Sequence, residues 1–531
     1  MAGEAAPSRV SARATGVVAG AVMCSRLLGL VREVVVAALF GATANLDAFL
    51  TAFRAPNMLR DLFAEGALST AFVTTFSKKI QTEGDQSAWG LANKIATLTA
   101  IFMSIVVLIG IAIAPFLVSI LAPGFNAEKA ALTVLLARTM YPFILLVSLA
   151  ALVMGMLNAK HVFGVPAMAS SFFNVGSIAG GVSLGWWMDP AFGPRALVGL
   201  ALGTLIGGFL QLAVQIPSLL KIGFRFRPDF HWRDEGVKKV LQLMGPAVIA
   251  ASAVQVNVLI NSIFASYLQD GAVSWLNIAF RLMQLPLGIF GVAVATVTLP
   301  LVSRSAAAGN IPEFRGALAH ALRLVMLLTI PSAIGLMILA EPIISLIYEH
   351  GRFTAASTLQ TAAALRFYAG GLVGYAAIKV LAPAFYALDK RYLPMIVSFL
   401  SIAENFALNY LFTFYLGWGH SGLAMSTCLV ALTDFALLYF MMRRYAGSLE
   451  TGTFLKTVGK LLVAGAALAA ICWAAVEFYL GTGSHLSILP KFIGVMVTVG
   501  LGGTAFFASA YLLRVAELRD VVTLMQRRLR R

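Results

Sequence analysis

Stretches of about twenty apolar residues recur from residue 16 to residue 513, parted only by short polar breaks, and each is long enough to cross a bilayer as one helix. The longest polar interval, about 222–238, leaves no room for a soluble domain with its own core. Composition agrees. Of 531 residues, 60% are apolar and 12% charged, with a mean hydropathy of +0.87, against the roughly 45–50% apolar share of soluble domains. The sequence therefore predicts an all-α, polytopic membrane protein with about fourteen transmembrane helices. They lie near 16–40, 46–77, 89–121, 131–158, 163–188, 196–221, 239–268, 272–302, 316–347, 357–387, 394–416, 420–444, 456–480 and 489–513.

Arg9 and Arg13 precede the first apolar run as they would in a signal peptide, but Arg26 and Arg32 interrupt it and no clean cleavage site follows. The run reads as an uncleaved first helix. The net charge of +16 is concentrated in loops. Sixteen Lys and Arg residues fall in loops after even-numbered spans, such as Lys78, Lys160, Arg225, Arg304, Lys390 and Arg443, and four in odd loops, Lys129, Arg195, Arg352 and Lys491. That bias predicts even loops and both termini in the cytoplasm, the terminal "QRRLRR" included, and argues against nucleic acid as the partner of the basic charge. Cys24, Cys428 and Cys472 are scattered within apolar stretches, so they read as packing residues, with no disulfide framework or metal site.

The chain also repeats itself. Ala52-Phe53-Arg54 recurs as Ala279-Phe280-Arg281 and Phe63 as Phe290, 227 positions on; Ala159, Pro166 and Ser170 match Ala387, Pro394 and Ser398 at an offset of 228. Two six-helix lobes in one orientation follow, as in transporters built from parallel repeats. The predicted organisation is a cytoplasmic segment 1–15, an N-lobe 16–221, a basic loop 222–238, a C-lobe 239–445, two further helices in 456–513 and a basic tail 514–531.

Several charges sit where lipid would surround them: Arg26, Arg32 and Glu33 in the first span, Asp47, Arg54, Arg60, Asp61 and Glu65 in the second, and Arg281 in the eighth. An ionised group near the centre of a membrane helix costs about 2.5–3.5 kcal/mol, so these need partners or a watery cavity. At helical spacing Arg54, Asn57, Asp61 and Glu65 share one face, with Arg60 turned about 100° away. Two readings stand: acids and arginines pair and hold the first two helices together, or the arginines bind an anion. Arg54 and Arg281 are repeat partners, which a rough two-fold arrangement would bring to opposite walls of one cavity. Guanidinium forks grip phosphate bidentately, so the second reading predicts a phosphate-bearing anionic substrate. Pro56 and Gly66 mark the second span as bent or unwound, a hinge or a packing kink. Arg138, Arg366, Lys379 and Asp434 are scattered, while Glu404, Asn405 and Asn409 are candidate cation ligands about one turn apart.

The segments "SRLLGLVREVVVAALFGA", "DAFLTAFRAPNMLRDLFAEGALSTAFV", "INSIFASYLQDGAVSWLNIAFRLMQLPLGIFGVAVATVTLPLVS" and "IKVLAPAFYALDKR" resemble the MurJ (MviN) family of bacterial lipid II flippases, in the multidrug/oligosaccharidyl-lipid/polysaccharide exporter superfamily. The resemblance runs from about residue 16 to 445. It implies a fourteen-helix inner-membrane protein, not an enzyme, that carries undecaprenyl-diphosphate-linked peptidoglycan precursor from cytoplasmic to periplasmic leaflet by alternating access. It also implies functional arginines at Arg26, Arg32, Arg60 and Arg281, cavity or gate positions at Glu33, Asp47, Asn57, Glu65 and Ser274, and a lipid-tail groove in the last two spans. The chain departs from the family pattern at Phe280, Gln284 and Asn409, where some relatives carry acids. The alternative within the superfamily is export of another lipid-linked oligosaccharide or of drugs; organic cations would want buried acids and aromatics, not an arginine excess. No His/Asp/Ser set and no Gly-rich phosphate loop is present, so the expectation is no cofactor, with the membrane potential or an ion gradient supplying energy. The expected partners are lipid II, a bilayer with anionic lipids and cell-wall synthesis proteins.

Overall fold

The computed structural model describes residues 12–481 and 487–519, with side chains other than those of 12–17, 19, 64–67, 249–251 and 253. The expected N-terminal segment and basic tail lie largely outside them. Among the described residues the chain is helical throughout: α1 (Ala12–Phe40), α2 (Ala44–Leu59), a π-helical stretch Arg60–Leu68, α3 (Ser69–Glu83), α4 (Asp85–Leu121), α5 (Ala127–Met140), α6 (Phe143–Ala159), α7 (Gly164–Met188), α8 (Ala196–Ala213) and α9 (Ile216–Lys221). Then come α10 (Glu235–Ser266), α11 (Ala272–Pro286), π-helical Leu287–Gly291, α12 (Val292–Ala307), α13 (Ile311–Ile338), α14 (Ala340–Tyr348) and α15 (Ala355–Ala387). The series ends with α16 (Tyr392–Tyr410), π-helical Leu411–Tyr415, α17 (Gly419–Ala446), α18 (Thr451–Ala475), π-helical Val476–Leu480 and α19 (Ile488–Leu512). Eleven of these rods are long and apolar enough to cross a membrane. The charged rods α1 and α2–α3, and α10, whose apolar run Val254–Ser266 is short, fall outside that set.

The chain forms two compact units, Met1–Gln255 and Val256–Arg531, and the division falls inside α10. The first half of α10 belongs with the first unit because Val237 and Val240 are buried in its core with Phe72, Phe76, Leu91, Leu157 and Phe224. In that unit α7 and α8 lie backbone to backbone. A Cβ added to Gly199 would stand 2.3 Å from the Gly185 nitrogen, and one on Gly203 2.3 Å from the Gly181 Cα. In lipid there is little hydrophobic gain from bringing two apolar helices together, so close approach over small residues supplies the dispersion and backbone contacts that hold them. Gly155 of α6 does the same for α3, since its Cβ would lie 2.8 Å from a Val73 methyl.

The second unit repeats the order of the first. Arg60 and Leu287, the first residues of two π-helical stretches, are 227 positions apart, the offset of the sequence repeat. Each follows a proline, Pro56 or Pro286, which removes a backbone donor from the i→i−4 ladder and lets the turn widen. The last two long helices are built into the core of this unit: Phe454, Leu461, Leu468 and Phe506 are buried with Phe314, Leu322, Leu381 and Phe385.

Candidate functional site

The first unit carries most of the charges singled out from sequence. Arg32 of α1 lies over the Phe173 ring of α7, with Cζ 5.1 Å from the ring centre. Phe173 meets Phe143 at 5.5 Å, and Phe143 meets Phe53 at 5.4 Å. Phe53 immediately precedes Arg54, so a row of three aromatic rings braces helices that carry two of the arginines. Such a row fixes backbone positions, and a ring face attracts a cation without using its N–H donors. Arg26, one residue after a carbonyl that accepts from Asn174 at 3.2 Å, is exposed; Arg32, Glu33, Arg54, Asn57, Arg60 and Asp61 are half-buried.

Two acids take different roles. Arg60 donates to Asp61 Oδ1 from Nε at 3.1 Å and from Nη2 at 2.8 Å, a forked contact between neighbours. Asp47 is fully buried and accepts from Lys129 Nζ at 3.2 Å, and the same ammonium lies 4.1 Å from the centre of the Phe125 ring. A pair this dry is held by mutual charge. The helix is π from Arg60, with hydrogen bonds from i to i+5, so the α spacing assumed for Arg54, Asn57, Asp61 and Glu65 changes partway through the set. The side chain of Glu65 itself lies outside the described residues.

In the second unit Arg281 of α11 is exposed, one residue after Phe280, whose ring meets Tyr368 at 5.3 Å and Tyr375 at 6.3 Å. Ser274, seven residues earlier, is fully buried. Asn405 and Asn409 join a carboxamide network with α10 and α17. Asn405 Nδ2 donates to Asn257 Oδ1 at 3.2 Å and Asn261 Oδ1 at 3.1 Å, Asn409 Nδ2 donates to Asn261 Oδ1 at 2.8 Å and Asn405 Oδ1 at 3.3 Å, and Ser426 Oγ donates to Asn409 Oδ1. Every carboxamide oxygen in the set accepts a hydrogen bond, so the asparagines of α10 and α16 hold one another in register. Glu404 is not in this network; it lies near Asp434. No cluster of three or more His, Cys, Asp or Glu suited to a metal occurs among the described residues.

A family model described as "Lipid II flippase MurJ" matches residues 36–493. The chain belongs to the lipid II flippase MurJ family. It is 33% identical over 95% of its length to the probable lipid II flippase MurJ of Vibrio cholerae, covering 96% of that protein, and 35% identical over 88% of its length to the lipid II flippase MurJ of Burkholderia cenocepacia, covering 90% of it. Its fold resembles a solved lipid II flippase MurJ in an inward closed conformation, at TM-score 0.74 and 24% identity over 92% of this chain and 98% of that one. The fold also resembles an inward-facing multidrug resistance transporter of the MATE family, described as of the MOP superfamily, at TM-score 0.67 and 15% identity, over 80% of this chain and 96% of that one.

Within this family fold the structure adds charged residues that sequence reasoning passed over. Arg323 of α13 donates from Nη1 to Glu450 Oε2 at 2.6 Å and from Nε to Glu517, so one guanidinium ties α13 to the start of α18 and to the segment after α19. An arginine in the middle of an apolar span was the available signal. For Asn257 and Asn261 it was the i, i+4 spacing, which matches that of Asn405 and Asn409.

Proposed function

We propose that this chain moves lipid II, the undecaprenyl-diphosphate-linked peptidoglycan precursor, from the cytoplasmic to the periplasmic leaflet of the bacterial inner membrane by alternating access. The observation that carries this reading is the set Arg26, Arg32, Arg54 and Arg60 on the first two spans of a MurJ-family chain, with Arg32 held over the Phe173 ring, which meets Phe143 and through it Phe53. Membrane helices retain such charges at a cost of a few kcal/mol each only where they act. Guanidinium groups suit a diphosphate, to which each can offer two parallel donors. Arg281 meets the same substrate during transport, and Glu33, Asn57, Asp61 and Glu65 tune the arginines' charge and orientation. The buried Asp47–Lys129 pair anchors α2 to the start of α5 so that movement is confined to the π-helical region after Pro56. The last two spans hold the lipid tail, and both termini lie in the cytoplasm.

The energy source in this reading is the membrane potential. A substrate-free protein with several membrane-embedded arginines is drawn toward the negative cytoplasm, by about 2.3 kcal/mol per charge per 100 mV across the full field. Bound diphosphate cancels that charge and weakens the pull. The test is the sidedness of lipid II in cells whose own flippase is depleted and replaced by this chain. Lipid II should become accessible at the periplasmic face and growth should be restored, and collapse of the potential at a constant proton gradient should stop translocation. Restored growth without periplasmic lipid II would overturn the proposal.

A further inference from the structure

The segment 222–234, between α9 and α10, takes no part in the proposed transport step, yet it is held in a fixed place. Asn93 Oδ1 accepts from the Arg227 N–H at 2.9 Å, Thr97 Oγ1 accepts from the Asp229 N–H at 3.1 Å, and Lys94 Nζ donates to Asp234 Oδ2 at 2.6 Å. All three anchors are on α4, so the segment runs as a strap along the first turns of that helix. The length of α4 sets its depth. Its 37 residues, at 1.5 Å each, span about 55 Å, far more than the roughly 30 Å of hydrocarbon in a bilayer. The polar turns Asp85, Gln86, Asn93 and Lys94 must therefore stand outside the lipid core. The apolar side chains that α4 exposes begin at Ile101 and Phe102, one turn beyond Thr97. The strap lies at the bilayer interface.

What it displays there is an alternation of guanidinium and ring. Phe226, Phe230 and Trp232 are 55%, 62% and 58% exposed, interleaved with the exposed Arg225, Arg227 and Arg233. Both nearby aspartates are engaged: Asp234 by Lys94, and Asp229 by His231 Nδ1 at 2.5 Å. Lys221, Lys238 and Lys239 extend the positive charge onto the flanking helices. A hollow lined by Asn93, Arg227, Phe230 and His231 opens at the centre. Aromatic rings favour the headgroup level, and each basic side chain near an anionic surface adds attraction.

We propose that residues 225–233 form an anionic-phospholipid site: Arg225, Arg227 and Arg233 hold headgroup phosphates while Phe226, Phe230 and Trp232 enter the acyl boundary. The occupant is the bilayer itself, which pins the end of α4 and the start of α10 to one depth. The test uses the full chain, with Cys24→Ser, Cys428→Ala and Cys472→Ala and a fluorophore on Glu235→Cys, at the exposed start of α10, in phosphatidylcholine bilayers holding a small fraction of brominated lipid. Brominated phosphatidylglycerol should quench the label more than an equal fraction of brominated phosphatidylcholine, with local enrichment on the order of fivefold or more. Arg225→Gln, Arg227→Gln and Arg233→Gln together should abolish the difference. Phe226→Ser, Phe230→Ser and Trp232→Ser together should lower quenching by both lipids. Equal quenching by the two lipids, or none by either, would overturn the proposal. So would loss of the preference on adding excess inorganic phosphate, which would mark a site for small soluble anions.

Discussion

The helices α1, α7 and α8 of the first unit and α10, α16 and α17 of the second occupy corresponding places in the repeated order, and they are sealed by opposite means. In the first, glycine meets glycine: Gly199 on Gly185, Gly203 on Gly181. In the second, Asn409 stands 228 positions after Gly181, and the seam is a network of asparagine and serine hydrogen bonds. Close packing demands shape and tolerates no added atom. A hydrogen-bonded seam demands matched donors and acceptors and fixes register. One ancestral arrangement can therefore diverge in the chemistry of its seams while the helix order stays fixed, and the two units will fail in different ways when mutated.

The largest effect should come from the glycine seam. Gly203→Ala places a methyl 2.3 Å from backbone atoms of Gly181, and backbone cannot swing aside as a side chain can, so a loss of about 3 kcal/mol or more is expected. Unfolding of the purified chain in mixed micelles measures it. Asn409→Ala comes next. It deletes bonds to Asn261, Asn405 and Ser426 at about 1–2 kcal/mol, since hydrogen bonds between membrane helices average roughly 0.6 kcal/mol each. If Asn409→Ala were the more damaging, the contrast would be reversed. Smaller again is Asn174→Ala, which removes a side-chain bond from α7 to the Ser25 carbonyl of α1; about half a kcal/mol is expected.

Acid should divide the molecule differently. Neither the Gly199–Gly185 and Gly203–Gly181 contacts nor the Asn257–Asn409 hydrogen bonds involve a titratable group, whereas the strap on α4 depends on Asp234. Partial burial raises that carboxyl's pKa, but the hydrogen bond and charge of Lys94 and the Gly236 and Val237 N–H groups more than offset it, leaving it below the usual range. A lowered folded-state pKa means the contribution is present above the unfolded value of about 4 and is lost as pH falls through the folded one. Amide exchange at Arg227 and Asp229 should therefore stay slow at neutral pH and accelerate only in strong acid, with the Asn257–Asn409 network unaffected.

Most of the helix positions were legible in the sequence because hydropathy over twenty residues reports burial in lipid directly. The span expected at 272–302 is the rod α11–α12, and 163–188 is α7 to within a residue. The π-helical turns were not legible: a slip from i→i+4 to i→i+5 leaves hydropathy unchanged, and only Pro56 and Pro286 hinted at it. The arginines themselves stood out, since charge in an apolar span is costly wherever it falls. The Phe173 ring under Arg32 and the Phe143 ring behind it did not, because they come from helices far along the chain. Likewise Asn405 and Asn409 were visible as oxygen ligands, but the partners that use those oxygens, Asn257, Asn261 and Ser426, belong to other helices.

The central claim is recognition of a lipid-linked diphosphate by the arginines, and equilibrium binding of undecaprenyl diphosphate to the purified chain in nanodiscs tests it most directly. Arg26→Ala, Arg32→Ala, Arg60→Ala and Arg281→Ala should each weaken binding by about tenfold or more, as loss of a charge-assisted hydrogen bond costs roughly 1.5–3 kcal/mol. Arg32→Lys should recover only part of the loss, because an ammonium keeps the charge and loses the fork. Unchanged affinity in all four alanine variants, with the proteins folded, would contradict the account and leave the arginines a structural role alone.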